Sequence, residues 1–116
     1  MFKSVQYAGF EDRPELRARA EQLETVLADE VTAWRGDVEV RWAPAADPEA
    51  VLDLTLAITR PNGVAARHTG TFVPGDFSHP RWLASRCNRV WFDLLGALLD
   101  QQHQRVEAAI PEPVEA

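Results

Sequence analysis

A single cysteine, no long apolar run and a shortage of basic residues together exclude several classes of protein. Cys87 has no second cysteine with which to form an intrachain disulfide. No apolar segment approaches the roughly 18 residues of a membrane span, and the first residues lack the apolar core of a signal peptide. We therefore expect a cytoplasmic protein that has no membrane partner.

Acidic residues outnumber basic ones by 18 to 12, which gives a formal charge of −6. A surface of this sign repels phosphate backbones unless its basic residues cluster. Nucleic acid is therefore disfavoured as a partner, and a protein partner or a homodimer is expected instead.

Recognisable catalytic and metal-binding motifs are also absent from the sequence. His68, His79 and Asp76 come nearest to an acid–base set, but no nucleophile accompanies them. The histidines and Cys87 lack the spacing of a zinc site, and Cys87 falls in an apolar stripe, where cysteine acts as a small hydrophobe. We expect no enzymatic activity, no catalytic residue, no metal and no cofactor.

A segment of strict alternation carries the strongest structural signal. Leucine or isoleucine alternates with polar or small residues over Leu52–Thr59, which predicts a strand with one buried face. Pro61 and Gly63 predict a three-residue hairpin loop with a bulge, because proline presets φ and glycine accepts a positive φ. In that register His68 lies on the inner face, opposite Leu56.

Two segments with helical periodicity flank the predicted hairpin. The first helix is expected to begin near Asp12, which forms an acidic capping box with Glu15, and to end at Gly36. The second is expected to be capped by Ser78 or His79, with Pro80 just inside it, and to run for roughly 30 residues if a polar stretch near its end does not interrupt it.

Short strands at residues 2–8 and 37–42 complete the order β-α-β-β-β-α. We predict an α+β fold in which two helices pack on one face of a small antiparallel sheet of three or four strands. We expect the single domain to span residues 1–110 and residues 111–116 to form a disordered acidic, proline-containing tail. Trp34, Trp42 and Trp91 fit core faces. The central core is predicted to contain Leu23, Leu27, Leu54, Leu56, Ile58, Val90, Trp91 and Leu94.

Four short segments, taken with this order of elements, carry a family likeness. They are Val-Gln-Tyr-Ala-Gly at 5–9, Glu-Leu-Arg at 15–17, Asp-Val-Glu-Val-Arg at 37–41 and the alternating strand closed by Gly63. In these features the chain resembles the ribosome hibernation-promoting factors, or sigma-54-modulation-like proteins. The resemblance implies binding in the decoding channel of the small ribosomal subunit through basic residues of the helices and sheet. This chain departs from that pattern, because its first helix carries more acidic than basic residues.

Six residues are candidates for binding a protein partner. Three lie near the start of the second helix, where tryptophan and arginine form the kind of group found in binding hot spots. The other three belong to the polar outer face of the sheet, which can meet a partner or simply face solvent. The candidates are Trp82, Arg86 and Arg89 on the helix, and Arg41, Arg67 and Thr69 on the sheet.

The arginines of the second helix also have a plainer interpretation as members of local ion pairs. Arg89 precedes Asp93 by one helical turn, and Arg81 is close in sequence to Asp76. Under this interpretation the arginines stabilise the fold and bind no partner.

Three hypotheses about function follow. The first is a non-enzymatic interaction or regulatory domain that acts through protein–protein contacts. The second is a ribosome-associated factor resembling the hibernation family. The third is a small enzyme or ligand-binding domain with a site near His68 and Asp76.

Trp82 provides a test of the first hypothesis, because it lies at the edge of the apolar stripe of the second helix. If Trp82 contacts a partner, Trp82→Ala will leave the melting temperature nearly unchanged and weaken self-association or complex formation by more than about 1 kcal/mol. Thermal melts and a binding titration measure the two effects. A loss of several kcal/mol of stability with association unchanged would place Trp82 in the core.

Overall fold

A computed structural model describes residues 1–109 of the chain. Two helices and four strands form an α+β fold in the predicted order. The predicted domain end at residue 110 and the predicted tail at 111–116 lie outside the described residues. The elements are β1 (Ser4–Tyr7), α1 (Pro14–Glu30), β2 (Val38–Pro44), β3 (Leu52–Thr59), β4 (Ala65–Phe72) and α2 (Pro80–Ala109), with 3₁₀ turns at Arg35–Asp37 and Pro74–Ser78.

The four strands form one open sheet in the order β1-β2-β3-β4. The pairs β2–β3 and β3–β4 are antiparallel, as predicted. β1 pairs with β2 in parallel, with Val5 beside Val40, so the sheet is mixed and not wholly antiparallel. The difference arises because α1 carries the chain back along the sheet, and a strand–helix–strand crossover joins parallel neighbours.

The hairpin between β3 and β4 has the predicted register. Leu56 pairs with His68, and the backbone N–H of Arg60 donates to the carbonyl of Val64 at 2.9 Å. Gly63 has φ +86°, as the turn requires. His68 therefore points to the helix-covered face, while Arg67 and Thr69 point to the open face.

The core lies between the sheet and the two helices. All eight residues predicted for its centre are buried, and Trp42 and Phe72 add the largest fully buried rings, with centroids 5.8 Å apart. The helices also pack against each other, with α1 over β2 and α2 over β3 and β4. Burial of these side chains is the main favourable contribution to folding.

A hydrogen bond also joins α1 to the sheet. The indole N–H of Trp42 donates to Oε2 of Glu24 at 2.8 Å. Burial raises the pKa of Glu24, and the hydrogen bond from Trp42 opposes the rise because it stabilises the carboxylate.

The first helix is shorter than predicted. It begins at Pro14 after Arg13, with no side-chain cap, so the predicted capping box of Asp12 and Glu15 does not form. It ends at Glu30 instead of Gly36, because Val31 leaves the helix in an extended conformation while its side chain stays buried.

Trp34 is the residue most affected by this early end. It adopts a left-handed conformation with φ +57° and is 46% exposed. The prediction that Trp34 lies in the core is therefore wrong, because the helical stripe that would have carried it inward stops before it.

The second helix is continuous from Pro80 to Ala109, a length of about 45 Å. Its polar stretch does not interrupt it, and residues 101–108 are all exposed. The helix thus extends past the sheet and makes the molecule elongated, at 66 × 26 × 26 Å. Arg105 donates a hydrogen bond to the carbonyl of Asn62 in the hairpin loop.

Gly70 allows α2 to approach β4 closely. A Cβ atom at this position would lie 2.2 Å from Cγ2 of Val90, far inside van der Waals contact. Any larger residue must therefore push α2 away from the sheet or force Val90 out of its rotamer.

We expect Gly70→Ala to lower the free energy of unfolding by about 1–3 kcal/mol, the usual cost of overpacking. In a Val90→Ala background the clashing methyl groups are gone, so the same substitution should cost much less. Denaturant melts of the two single variants and the double variant measure this coupling. Equal losses in both backgrounds would show that the contact between Gly70 and Val90 does not set the packing distance.

Candidate functional site

The six candidate residues from the sequence do not form one site. Arg41, Arg67 and Thr69 lie on the open face of the sheet, as predicted, with Arg67 and Thr69 in the predicted register of the hairpin. Trp82, Arg86 and Arg89 lie on α2, which covers the opposite face. The structure therefore divides the candidates into two separate surfaces.

The open face carries a shallow polar groove of about 210 Å³. The hydroxyls of Thr55 and Thr69 share a hydrogen bond of 2.8 Å, so the candidate threonine is engaged within the sheet. Arg41 and Arg67 are exposed, and neither has an ion-pair partner among residues 1–109. This surface can accept polar or acidic groups but offers no apolar anchor.

The candidates on α2 are mostly engaged by their neighbours. Nε of Arg86 lies 3.6 Å from Oδ2 of Asp76, and Nε of Arg89 lies 3.6 Å from Oδ1 of Asp93. The pair of Arg89 with Asp93 is the one predicted, whereas Asp76 pairs with Arg86 and not with Arg81. Trp82 is 55% exposed.

The histidines occupy structural positions. Nδ1 of His79 accepts the backbone N–H of Arg81 at 3.1 Å and so caps α2, as predicted. Nε2 of His68 lies 3.4 Å from Oδ2 of Asp93, and Asp76 accepts the backbone N–H of Val73 at 2.9 Å. His68 and Asp76 thus contact different residues. Across residues 1–109, no group of three His, Cys, Asp or Glu side chains is placed to hold a metal ion.

Cys87 is fully buried in the core, where sequence reasoning placed it. Burial, together with the smaller effect of the charges of Glu30 and Glu24, raises the pKa of its thiol to about 12. The thiolate, which is the nucleophilic form, is therefore not populated at neutral pH.

An apolar groove beside α2 was not predicted from the sequence. It has a volume of about 440 Å³ and lies between α2 and the segment that follows α1. Phe92 and Leu99 are 59% and 65% exposed on its α2 side, and Trp34 forms the opposite wall. The buried rings and chains of Trp91 and Leu98 contribute to its lining.

Trp34 is held in place at the groove by its neighbours. The guanidinium carbon of Arg60 lies 4.3 Å from the centroid of the indole ring, and Arg60 is itself paired with Asp37. Nε of Arg35 donates to the carbonyl of Val31 at 2.6 Å. A bulky residue with positive φ is strained, and such strain is concentrated at functional sites.

A hydrogen bond joins the two sides at one end of the groove. Nδ2 of Asn88 on α2 donates to Oε2 of Glu30 at the end of α1, at 2.9 Å. This contact and the packing of α1 against α2 hold the separation of the walls.

A signal for the groove is present in the sequence. Phe92, Leu99 and Val106 recur at seven-residue spacing, next to the inward stripe, and all three are exposed. Because a helix turns about 100° per residue, this spacing keeps all three on one side. The helix is thus apolar over a wider arc than one core face needs, which is the signal of a second contact surface.

Comparison of the chain with protein-family models, curated proteins and solved structures finds no significant match. In the described part of the chain, neither helix combines the length and apolar character needed to cross a membrane.

The burial of Cys87 has a measurable consequence at high pH. From about pH 8 to about pH 10 the unfolded thiol, with its ordinary pKa of 9.0, loses its proton while the folded thiol keeps it. The folded state then binds more protons than the unfolded state, so stability falls as pH rises. We expect wild type to lose about 1.4 kcal/mol more than Cys87→Ala over this interval. Urea melts at the two pH values measure the difference, and parallel losses would contradict it.

Proposed function

We propose that the chain is a non-enzymatic interaction domain that binds another protein through the apolar groove beside α2. The observation that carries this proposal is the joint exposure of Trp34, Phe92 and Leu99 around one preformed cavity. A few side chains in a well-packed pocket, tryptophan prominent among them, supply most of the binding energy in protein interfaces.

Exposure of these apolar side chains to water is unfavourable unless a partner covers them. Contiguous apolar patches are limited on monomeric proteins and mark interaction sites when they are extended. Here the stripe from Phe92 continues through Leu99 to Val106 on a part of α2 that extends past the sheet. A partner bound along it would cover surface that residues 1–109 leave exposed.

The support for the α2 groove over the two earlier surfaces is its apolar character. The groove on the open face has polar walls, and Arg86 and Arg89 near Trp82 are already paired. A homodimer through any of these surfaces belongs to the same functional class. The cytoplasm remains the expected location from the sequence.

Site-specific photo-crosslinking in cells compares the three surfaces directly. A photoreactive amino acid placed at Phe92, Thr69 or Trp82 reports on the groove, the open face and the start of α2, and exposed Gln22 on α1 serves as the matched control. We expect a discrete protein adduct from position 92 and none from position 22. Adducts formed only from position 69 or 82 would place the interface on the open face or at the start of α2 instead. Equal labelling at all four positions would contradict a specific interface.

A ribosome-associated role is the second candidate. It is supported by the order of elements, on which the family likeness rests, and by the exposure of Arg41 and Arg67 on the open face. The formal charge of −6 opposes it.

Co-sedimentation with small ribosomal subunits separates the two proposals. If the groove proposal is right, the chain will not co-sediment at physiological salt, because phosphate repels an acidic domain. Co-sedimentation that is lost at high salt and in an Arg41→Gln/Arg67→Gln variant would favour the ribosomal role. Loss at high salt with the variant unaffected would point to a different contact surface.

A further inference from the structure

We propose that the groove beside α2 receives a basic amphipathic helix of a partner protein. This inference rests on the proposed interaction function and adds the chemistry of the occupant. Three observations carry it: the sign of the charges around the groove, the elements that form its walls and its length along α2.

Acidic residues border the groove on both sides. Asp29 and Glu30 line it at the end of α1. On α2, Asp100 follows Leu99 by one position, about 100° around the helix, whereas Asp93 is already paired with Arg89 and contacts His68. Among residues 1–109, no lysine or arginine lines the cavity. Negative charge therefore lies at the α1 end of the apolar floor and beside Leu99.

Much of this negative charge is not neutralised within the fold. Within residues 1–109, Asp29 and Asp100 have no ion-pair partner, and Glu30 accepts a hydrogen bond from the neutral amide of Asn88. The last turn of α1 contains no basic residue, so its acids add to the negative end of the helix dipole. A cationic side chain of a partner would be attracted to this end of the groove.

The walls of the groove favour a helix as the occupant. They are formed by α2 and by the end of α1 with the segment that follows it. None of these is a strand, so the groove lacks the sheet edge to which an extended peptide adds as a further strand. Along α2 the lining runs from Asn88 to Leu99, about 16 Å, which matches three turns of a helix.

The same charges disfavour a second copy of this chain as the occupant. An antiparallel two-fold contact centred on Leu99 would bring the Asp100 carboxylates of both copies together and set Asp93 near Glu107 of the other copy. Like charges across an interface oppose association. A partner with lysine or arginine beside its apolar stripe turns the same contacts into attraction.

Fluorescence anisotropy with designed peptides tests the inference. The first probe is a labelled helix of about 18 residues, five turns, with leucine at helical spacing and lysine elsewhere. The second keeps every leucine and replaces lysine with glutamate. We expect the lysine peptide to bind wild type with an affinity that falls as salt rises, and the glutamate peptide not to bind.

Three double variants of the full chain separate apolar from electrostatic contributions. Phe92→Ala/Leu99→Ala should raise the Kd of the lysine peptide by about tenfold or more, since it removes the apolar anchors. Asp29→Asn/Asp100→Asn should raise it by about threefold or more. Asp47→Asn/Glu49→Gln makes the same change in charge on the loop between β2 and β3 and should leave it unchanged. Thermal melts establish that each variant is folded.

The outcomes distinguish failure of this inference from failure of the proposed function. If the glutamate peptide binds as well as the lysine peptide, or if the Asp29/Asp100 variant behaves like the loop control, the basic partner is wrong and the groove remains an apolar docking site. If the photo-crosslinked adduct from position 92 has the mass of two copies of the chain, the occupant is a second copy and the inference is overturned. Absence of both peptide binding and adducts at 92 would overturn the proposed function itself.

Discussion

The close approach of α2 to β4 is the contact on which the rest of the architecture depends. Gly70 has no side chain where Val90 packs, so the helix lies directly against the sheet. Once Val90 points inward, the rotation of the whole helix is determined, with Cys87, Leu94 and Leu98 buried. The same rotation leaves Phe92 and Leu99 outside. The surface proposed to bind a partner is therefore a geometric result of how the core is packed.

Local patterns were sufficient to predict most of the fold. The alternation over Leu52–Thr59 specifies which face is buried, and the turn at Gly63 specifies the register, because both depend on neighbouring residues alone. The end of α1 was not predictable in this way. Val31 continues the helical periodicity, yet it is buried as an extended residue, and only the packing of the assembled core decides between the two. The parallel pairing of β1 likewise depends on where α1 returns the chain.

The candidate groove was harder to predict from the sequence than the fold was. Phe92 and Leu99 are apolar residues on an apolar helix, and their exposure depends on the position of α1 relative to α2. Trp34 also lines the groove, because the chain adopts a left-handed conformation at this residue that no local sequence motif predicts. The position of Trp82 at the edge of the core stripe, by contrast, was predictable from the sequence, since it follows from the rotation of 100° per residue alone.

The order of the elements along the chain has a consequence for synthesis. The strands β1 to β4 and α1 all precede α2, so the residues of the sheet are synthesised before the helix that covers β3 and β4. Until α2 has emerged, the leucine side chains of β3 and the ring of Phe72 lack their cover and are open to solvent. Such transient apolar surfaces are where nascent chains aggregate or engage chaperones. Completion of the domain is thus delayed until its last element has been translated, whatever the stability of the elements before it.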